Sequence, residues 1–456
     1  MPNINVVVLA AGKGTRMYSA TPKVLHALAG RALVQHTIDT ANALQASSIH
    51  VVIGHAADQL REALAGQQLH FALQEQQLGT GHAVNQALPQ LEKDAIALIL
   101  YGDVPLIRAE TLAQLLAPVD ANSMAVLTCV VANPHGLGRI VRDAAGSIRA
   151  IIEEKDATPA QRAVKEINTG FMAIPVARLH DWLPRIQNKN AQGEYYLTDI
   201  IALAIADGCK VHTVQCPDEF EAAGVNNRLQ LAELERQYQK RETTRLMLAG
   251  VTMRDPSRVD LRGNITIAQD VELDVNVVLE GRVDIASNVT IGPNCVLKNV
   301  SIGAGTEIAA NSVIEDALIG EDCSIGPFAR IRPGTVLDAE AKIGNFCEVK
   351  KSRIGKHSKV NHLSYIGDSE LGVDVNIGAG TITCNYDGVN KFRTIIGDRV
   401  FIGSNTALVA PVNVAAGATV GAGSVITKDV GKDQLAIARG RQSNIDGWER
   451  PKKQPK

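Results

Sequence analysis

The chain of 456 residues lacks an excess of charge of either sign: 46 Lys and Arg stand against 48 Asp and Glu, a formal net charge of -2. That balance excludes the broad basic footprint of a general nucleic-acid binder and leaves room only for a local basic pocket. Paired cysteines are lacking too. The seven cysteines (129, 209, 216, 295, 323, 347, 384) are scattered, with no C-x-x-C, which suits a reducing compartment better than a disulfide framework. No apolar run approaches the ~20 residues of a membrane span, and the opening residues start a strand rather than a signal peptide. A soluble cytoplasmic protein with no membrane or nucleic-acid partner is expected. Its length allows two or three domains, and 45% apolar residues allow large cores.

What is present changes character near residue 228. Before it, apolar β-branched runs at 4–9, 48–53 and 96–101 alternate with helical patterns at 32–44 and 58–65. Short apolar strands alternating with helices predict a mostly parallel sheet covered on both faces, an α/β Rossmann-like domain over residues 1–228. Residues 228–249 contain no Gly or Pro and are rich in Leu, Glu, Gln and Arg. They read as one linker helix, 229–250, ended by Gly250. From about residue 260 an aliphatic residue recurs every six: Ile267, Leu273, Leu279, Ile285, Ile291, Leu297, and, after one-residue slips, on to Ile402, Leu408, Val414, Val420 and Ile426. Six fits neither helix nor ordinary strand. It fits one flat face plus a corner of a β-solenoid over residues 251–456, whose coils bury their aliphatics only by stacking. Glycines after the aliphatic position (Gly292, Gly326, Gly378) suit corners because they accept positive φ. The tail from Arg441, with Trp448, has no hexads; it is expected to be mobile or to cover a neighbouring site.

Two stretches carry chemistry. The first strand runs through Leu9 into Ala10-Ala11-Gly12-Lys13-Gly14-Thr15-Arg16-Met17, with Lys23 soon after. Glycines let backbone N–H groups approach phosphate oxygens, and Lys13, Arg16 and Lys23 add positive charge for a triphosphate. A bare glycine-rich turn is weak evidence, and this is neither a P-loop nor a dinucleotide fingerprint. Gln74 and Gln76 precede Gly79-Thr80-Gly81, and a carboxamide offers a donor and an acceptor to a base edge. Tyr101-Gly102-Asp103 ends an apolar strand, where α/β sheets bind ligands and where a carboxylate can hold Mg²⁺. Asn226 reads equally as the N-cap of the long helix.

The second stretch lies within the solenoid, over residues 330–386, and is rich in residues a plain coil does not need. It contains Arg332, Lys350-Lys351, His362, Tyr365, Asn376, and a break in the hexads at Cys384-Asn385-Tyr386 that ends near Lys391. Arg332 and Lys350 can hold an anionic sugar phosphate. An imidazole, which titrates near physiological pH, can deprotonate an amine. Taken singly, His362 reads as a packed or solvated residue and Lys350-Lys351 as a solvated edge.

The string L-A-A-G-K-G-T-R-M with P-K-V-L after it resembles the signature of nucleoside-triphosphate sugar-1-phosphate nucleotidyltransferases. The hexads resemble the left-handed β-helix acyltransferases, and handedness follows from that resemblance alone. Together, over nearly the whole chain, they resemble the bacterial family of bifunctional N-acetylglucosamine-1-phosphate uridylyltransferases/glucosamine-1-phosphate N-acetyltransferases, which supply cell-wall peptidoglycan and lipopolysaccharide precursors. The resemblance implies UTP, glucosamine-1-phosphate, N-acetylglucosamine-1-phosphate and acetyl-CoA as substrates, Mg²⁺ as cofactor and a homotrimer. It implies that Leu9, Ala10, Ala11, Gly12, Lys13, Arg16, Lys23, Gln74, Gly79, Thr80, Tyr101 and Gly102 hold nucleotide and phosphate. Asp103 and Asn226 hold the metal, and Gly138, Glu153, Asn168 and Asn226 the sugar, with Glu154 an alternative to Glu153. In the second half it implies His362 as base and Arg332, Lys350, Tyr365, Asn376 and Lys391 as sugar-phosphate contacts. Ala379, Asn385, Tyr386, Ser404, Ala422 and Arg439 would contact acetyl-CoA. Two other readings compete: a monofunctional nucleotidyltransferase with a structural or regulatory β-helix, and a non-enzymatic subunit keeping both folds. The set His362, Tyr365, Asn376 and Lys391 argues against the former, the intact glycine loop and Asp103 against the latter.

Overall fold

The computed structural model describes residues 3–453. The chain divides into two compact units, Met1–Tyr238 and Gln239–Lys456. Among the described residues no helix is long and apolar enough to cross a membrane.

The first unit is built on one sheet with the strand order Lys210–Gln215, Ser123–Val130, Glu166–Pro175, Ile96–Tyr101, Ile4–Leu9, Ser48–Ile53, His70–Leu73. Successive residues of each central strand point to opposite faces, and both faces are apolar. Val7, Val52, Ile99 and Val126 pack under the helices Thr80–Ala87, Val176–Trp182 and Ile200–Ala206. Val6, Val8, Val51, Ile53, Leu98 and Leu100 pack under Leu33–Ala43, Ala57–Ala63 and Ala109–Leu116. Burial on both faces is why these strands read as continuous aliphatic runs.

The sheet is mostly parallel, as expected, with one strand of its main path reversed. Glu166–Pro175 runs antiparallel to both its neighbours, and it also pairs with a small antiparallel hairpin, Arg139–Arg142 with Ile148–Ile152. A strand buried on both faces is apolar whichever way it runs, so hydrophobicity alone carries no direction.

The long helix is Arg228–Leu248, and Gly250 follows it at φ 101°. In the first unit Leu234 packs with Met17, Leu28 and Leu33, and Glu235 accepts the Ala29 N–H at 2.6 Å. In the second, Leu246 joins the solenoid core, and the Gln239 carboxamide bonds both the N–H and the carbonyl of Leu261 at 2.8 Å.

The second unit is a left-handed parallel β-helix with three faces. One face stacks the short strands that carry Leu273, Ile291, Ile308, Ile325, Ile343, Val360, Ile377, Ile402 and Val420. The other two share a sheet because the early strands bend around the corner between them. Val313–Ile319, for example, pairs through Ile314 with Ile331 and through Ile319 with Leu337. Every hexad aliphatic named above lies in one continuous core.

The corner chemistry differs from expectation. Gly326 does take φ 92°, but Gly292 and Gly378 do not lie at positive φ. A Cβ on Gly292 would stand 2.9 Å from the Ala310 nitrogen, and one on Gly378 2.5 Å from that of Ser404. Those glycines are demanded by the close approach of the next coil. Positive φ is taken instead by Asn276, Asn294 and Asn311 on successive coils, whose carboxamides hydrogen-bond in a ladder at 2.8 and 3.2 Å. Residues 441–453 carry no helix or strand and are exposed.

Candidate functional sites

The carboxyl ends of Ile4–Leu9 and Ile96–Tyr101 open onto a cleft of about 260 Å³ lined by Leu9, Ala10, Ala11, Gly12, Lys23, Gln74, Gly79, Thr80, Tyr101 and Asp103. Glycine serves two purposes in the loop that enters it. A Cβ at Gly14 would lie 2.6 Å from the Lys23 Cβ, so Gly14 lets Lys23 pack over the loop. A Cβ at Gly12 would meet no protein atom within 4 Å. The packing of the chain does not require glycine there, and the space beside it is open. Gly102 is buried against Val34, Ala10 and Val24, while Lys13 is exposed at the loop tip.

Lys23 Nζ donates to Asp103 Oδ2, and Asn226 Oδ1 lies 3.3 Å from the same nitrogen. Arg16 Nη2 reaches that Asn226 oxygen at 2.8 Å. Asn226 is not the helix cap: Asn227 Oδ1 accepts the Gln230 N–H at 2.9 Å, and Asn226 is left to face the cleft. A carboxylate and an amide oxygen thus converge on one cationic point. This donor set fits a hard divalent ion that keeps most of its waters and takes its remaining oxygens from phosphate. No group of three or more His, Cys, Asp and Glu able to hold a metal occurs among the described residues, so protein alone would not enclose one.

The Gln74 carboxamide is 3% exposed. Its nitrogen is taken up by the Gly79 carbonyl at 3.2 Å and His82 Nδ1 at 3.0 Å. Its oxygen is what remains for a base edge. Gln76, the alternative, is exposed.

A second cleft of about 750 Å³ contains Arg16, Asn168 and Asn226. Asn168-Thr169-Gly170 forms a bulge in Glu166–Pro175. Gly170 sits at φ 90°, where a Cβ would strike the Tyr101 ring at 2.5 Å. The two candidate glutamates differ. Glu154 is committed to Arg139 at 2.6 Å, and that bond holds its carboxyl below the usual range. Glu153 is aimed at Gly138, where an added Cβ would lie 3.2 Å from its Oε1. Burial pushes its carboxyl above the usual range, with Asp156 and Asp199 adding to the effect and the Thr198 hydroxyl opposing it. Burial likewise raises the Tyr101 phenol, keeping it a neutral donor.

A carboxyl whose folded pKa is raised favours the fold at low pH and loses that contribution as pH rises through the folded pKa. Glu153→Gln removes the cost of ionisation. Its melting temperature is expected to equal or exceed wild type at pH 8, with the difference vanishing near pH 4. Sugar-phosphate KM is expected to rise roughly ten- to hundredfold, the worth of a hydrogen bond to a charged group. Thermal scans across pH with parallel kinetics check both. A variant melting below wild type at pH 8 with unchanged KM would contradict the reading.

In the solenoid the predicted residues fall on one corner, one face and the loop beyond it. Asn345 and His362 are in register on adjacent coils. The column continues through hydrogen bonds from Gly380 N to the His362 carbonyl at 3.1 Å, Asn405 N to Ala379 at 2.7 Å and Gly423 N to Ser404 at 2.8 Å. Arg439 Nη1 donates to the Ala422 carbonyl at 2.7 Å. Asn345, His362, Ala379, Ser404 and Ala422 therefore stack along a single corner, with Arg439 at its end. His362 Nδ1–H donates to Asn345 Oδ1 at 2.9 Å, which fixes the tautomer and leaves the Nε2 lone pair free.

On the adjoining face, Arg332 pairs with Glu348 at 2.7 Å. Lys350 ends the strand Glu348–Lys350, and the Tyr365 hydroxyl accepts from Asn385 at 3.4 Å. Asn385 is buried and tied to Asp368 at 2.5 Å. Asn376 lies on the face before the His362 corner. Tyr386 and Lys391 lie in the inserted loop beyond Ile382–Cys384, where Lys391 borders a cleft of about 500 Å³ with Lys351, Asp368 and Arg393. Within one chain that loop and His362 occupy different corners of the triangle.

Several residues escaped sequence reasoning. Glu194 and Gln77 line the first cleft, and Thr198 reaches Glu153 at 3.5 Å. Gln77 and Glu194 sit in irregular backbone and Thr198 in a single 3-10 turn, Leu197–Asp199, where no periodicity marks them. Asn345 was findable, because it lies one coil, 17 residues, before His362.

Family models match three segments: a MobA-like NTP transferase domain at residues 6–168, a GMPPB C-terminal domain at 261–340 and a hexapeptide repeat of succinyl-transferase at 393–428. The bifunctional protein GlmU of Marinobacter nauticus is 58% identical over 453 residues, which is 99% of this chain and 100% of that one. Those of Pseudomonas entomophila and Cellvibrio japonicus are each 57% identical, over 99% and 98% of this chain and 99% of their own length.

Proposed function

The chain belongs to the GlmU family of bifunctional proteins, and from that premise we propose that its two units perform successive steps on one sugar phosphate. It is an enzyme with a nucleotidyltransferase unit and a hexapeptide acyltransferase unit. The solenoid acetylates glucosamine-1-phosphate with acetyl-CoA. The first unit then joins UMP from UTP to the resulting N-acetylglucosamine-1-phosphate, releasing pyrophosphate and giving UDP-N-acetylglucosamine for cell-wall synthesis. The observation that carries the reading is that a built phosphate cleft and a histidine with a fixed tautomer occur in the same chain, each in its own folded unit.

In uridylyl transfer the sugar phosphate oxygen attacks the α-phosphorus of UTP. Leu9 through Gly12 supply backbone donors, Lys23 sits over the α-phosphate and Arg16 over the departing pyrophosphate. Lys13, Gly79, Thr80, Tyr101 and Gly102 complete the nucleotide wall. The Gln74 oxygen accepts the uracil imide N–H, which favours UTP over CTP, whose base has no N–H at that position. Gly138, Glu153, Asn168 and Asn226 hold the sugar. Asp103 and Asn226 would hold Mg²⁺, which neutralises phosphate charge when bound. Positioning and electrostatics carry this reaction.

In acetyl transfer His362 Nε2 takes a proton from the sugar ammonium and frees the lone pair that attacks the thioester. Ala379, Ser404 and Ala422 leave a path of small side chains along the corner. Acetyl-CoA lies along it with its thioester at His362 and its phosphates toward Arg439. Asn385 and Tyr386 close its side, and Arg332, Lys350, Tyr365, Asn376 and Lys391 bind the sugar phosphate. Because Lys391 and His362 stand at different corners of one chain's triangle, a complete site draws on a second chain. That geometry supports a homotrimer of side-by-side solenoids, working in the cytoplasm.

The test is to incubate the protein with glucosamine-1-phosphate, acetyl-CoA, UTP and Mg²⁺ and to identify products by mass. UDP-N-acetylglucosamine, pyrophosphate and free CoA are expected. Omitting acetyl-CoA is expected to stop all three, and chelating the divalent ion only the first two. CoA release without any nucleotide sugar would overturn the reading for the first unit.

A further inference from the structure

The wider cleft of the first unit has a wall that the two reactions do not use. Thr128 and Gln215 pair in register on neighbouring parallel strands, and the Cys216 N–H continues the ladder to the Thr128 carbonyl at 2.7 Å. The residues that follow are Cys129 and Cys216. Both side chains enter the same apolar cluster, at 2% and 4% exposure. The register sets the two cysteines side by side on neighbouring strands, and Cys216 Sγ contacts the Asp218 carbonyl at 3.2 Å. Neighbouring strands lie about 4.8 Å apart, inside the Cα separation that a disulfide spans.

The two thiols are not equivalent. Interaction with Cys216 holds Cys129 below the usual thiol range, and the same interaction together with burial pushes Cys216 up. Cys129 is also the one that lines the cleft of about 750 Å³. Cys129 is therefore the thiol next to the cleft and Cys216 the one behind it.

We propose that Cys129 and Cys216 form a redox-sensitive dithiol, closed to a disulfide by small disulfides, that controls the sugar-phosphate side of the uridylyl site. Cys129 thiolate attacks one sulfur of the small disulfide and releases one thiolate, which takes up a proton. Cys216 then gives up its proton and attacks Cys129 in the mixed disulfide, expelling the second thiol. The protein is oxidised by two electrons and the small disulfide is reduced to two thiols. Closure breaks the Cys216 contact with Asp218. That residue begins the segment leading through Phe220, Ala222 and Gly224 to Asn226, all of which border the same cleft. Control of uridylyl transfer rests on the function proposed above; the cross-link does not.

The experiment treats the full-length protein with oxidised glutathione, blocks free thiols, maps disulfides by mass and assays both activities. A Cys129–Cys216 link is expected. Uridylyl transfer should fall roughly fivefold or more through a higher sugar-phosphate KM, with acetyl transfer unchanged and full recovery in dithiothreitol. Cys129→Ser, treated alike, is expected to keep its uridylyl transfer; if that variant fails to fold, the wild-type map and its reversal decide. Absence of the link, or a link with unchanged KM, overturns the proposal. Untreated protein with no uridylyl transfer would instead overturn the function proposed above.

Discussion

Asp103→Ala is expected to lower uridylyl transfer at least ~10²-fold, the usual loss when a group that stabilises transition-state charge is removed, while acetyl transfer stays at the wild-type rate. Asp103 follows the last residue of Ile96–Tyr101 by two, at the carboxyl edge of the sheet. Its carboxylate accepts from the same Lys23 ammonium that lies 3.3 Å from the Asn226 oxygen. On the function proposed above, removing it deletes a ligand for the divalent ion, and it frees the Lys23 ammonium from its partner. The solenoid keeps its own core, which is why the second activity should be spared. Asp103→Asn is the finer test: shape and a hydrogen bond to Lys23 survive, the charge does not, and the loss should remain large. Pyrophosphate release at constant Mg²⁺ measures both variants. A near-normal rate in either would remove Asp103 from the metal site.

His362→Ala is expected to lose acetyl transfer by ~10²–10⁴-fold, the range for general-base help, and to retain uridylyl transfer. A sugar ammonium cannot attack a thioester until its lone pair is freed. The bond to Asn345 puts the imidazole proton on Nδ1, so the base is already in the correct tautomer. His362 is exposed and outside the solenoid core, so its removal should leave assembly untouched. Light scattering on the same preparation is expected to give three times the chain mass. Were His362 merely structural, assembly and activity would fall together. A well-assembled variant keeping more than about a tenth of wild-type acetyl transfer would point to another group.

The solenoid was legible because its packing is local and periodic: each aliphatic stacks on the one a coil away, so sequence spacing is spatial spacing. The strands Ile4–Leu9, Ser48–Ile53 and Ile96–Tyr101 were legible to the residue for a related reason, since uniform burial makes a strand an uninterrupted aliphatic run. Direction and partnership were not. Nothing in the apolar run of Glu166–Pro175 says that it opposes its neighbours, and the hairpin beside it comes from ordinary turn residues. The glycine loop and Asp103 could be found because each lies at the end of a recognisable strand. Glu194 lines the first cleft from irregular backbone, and Thr198 reaches Glu153 from a single 3-10 turn, Leu197–Asp199. Asn227 takes the capping position that the sequence reading gave to Asn226, a difference of one residue that hydrogen-bond geometry decides and composition does not.

Two separate sites acting in sequence on one sugar phosphate make a sharp demand on a mixture. Asp103→Ala and His362→Ala are each incubated with glucosamine-1-phosphate, acetyl-CoA, UTP and Mg²⁺, then the two are mixed. Neither alone should form UDP-N-acetylglucosamine at a significant rate. The former should accumulate N-acetylglucosamine-1-phosphate and the latter should leave glucosamine-1-phosphate unchanged, while the mixture should form the nucleotide sugar. A silent mixture of two well-folded variants, or product from either variant alone at the wild-type rate, would contradict the account.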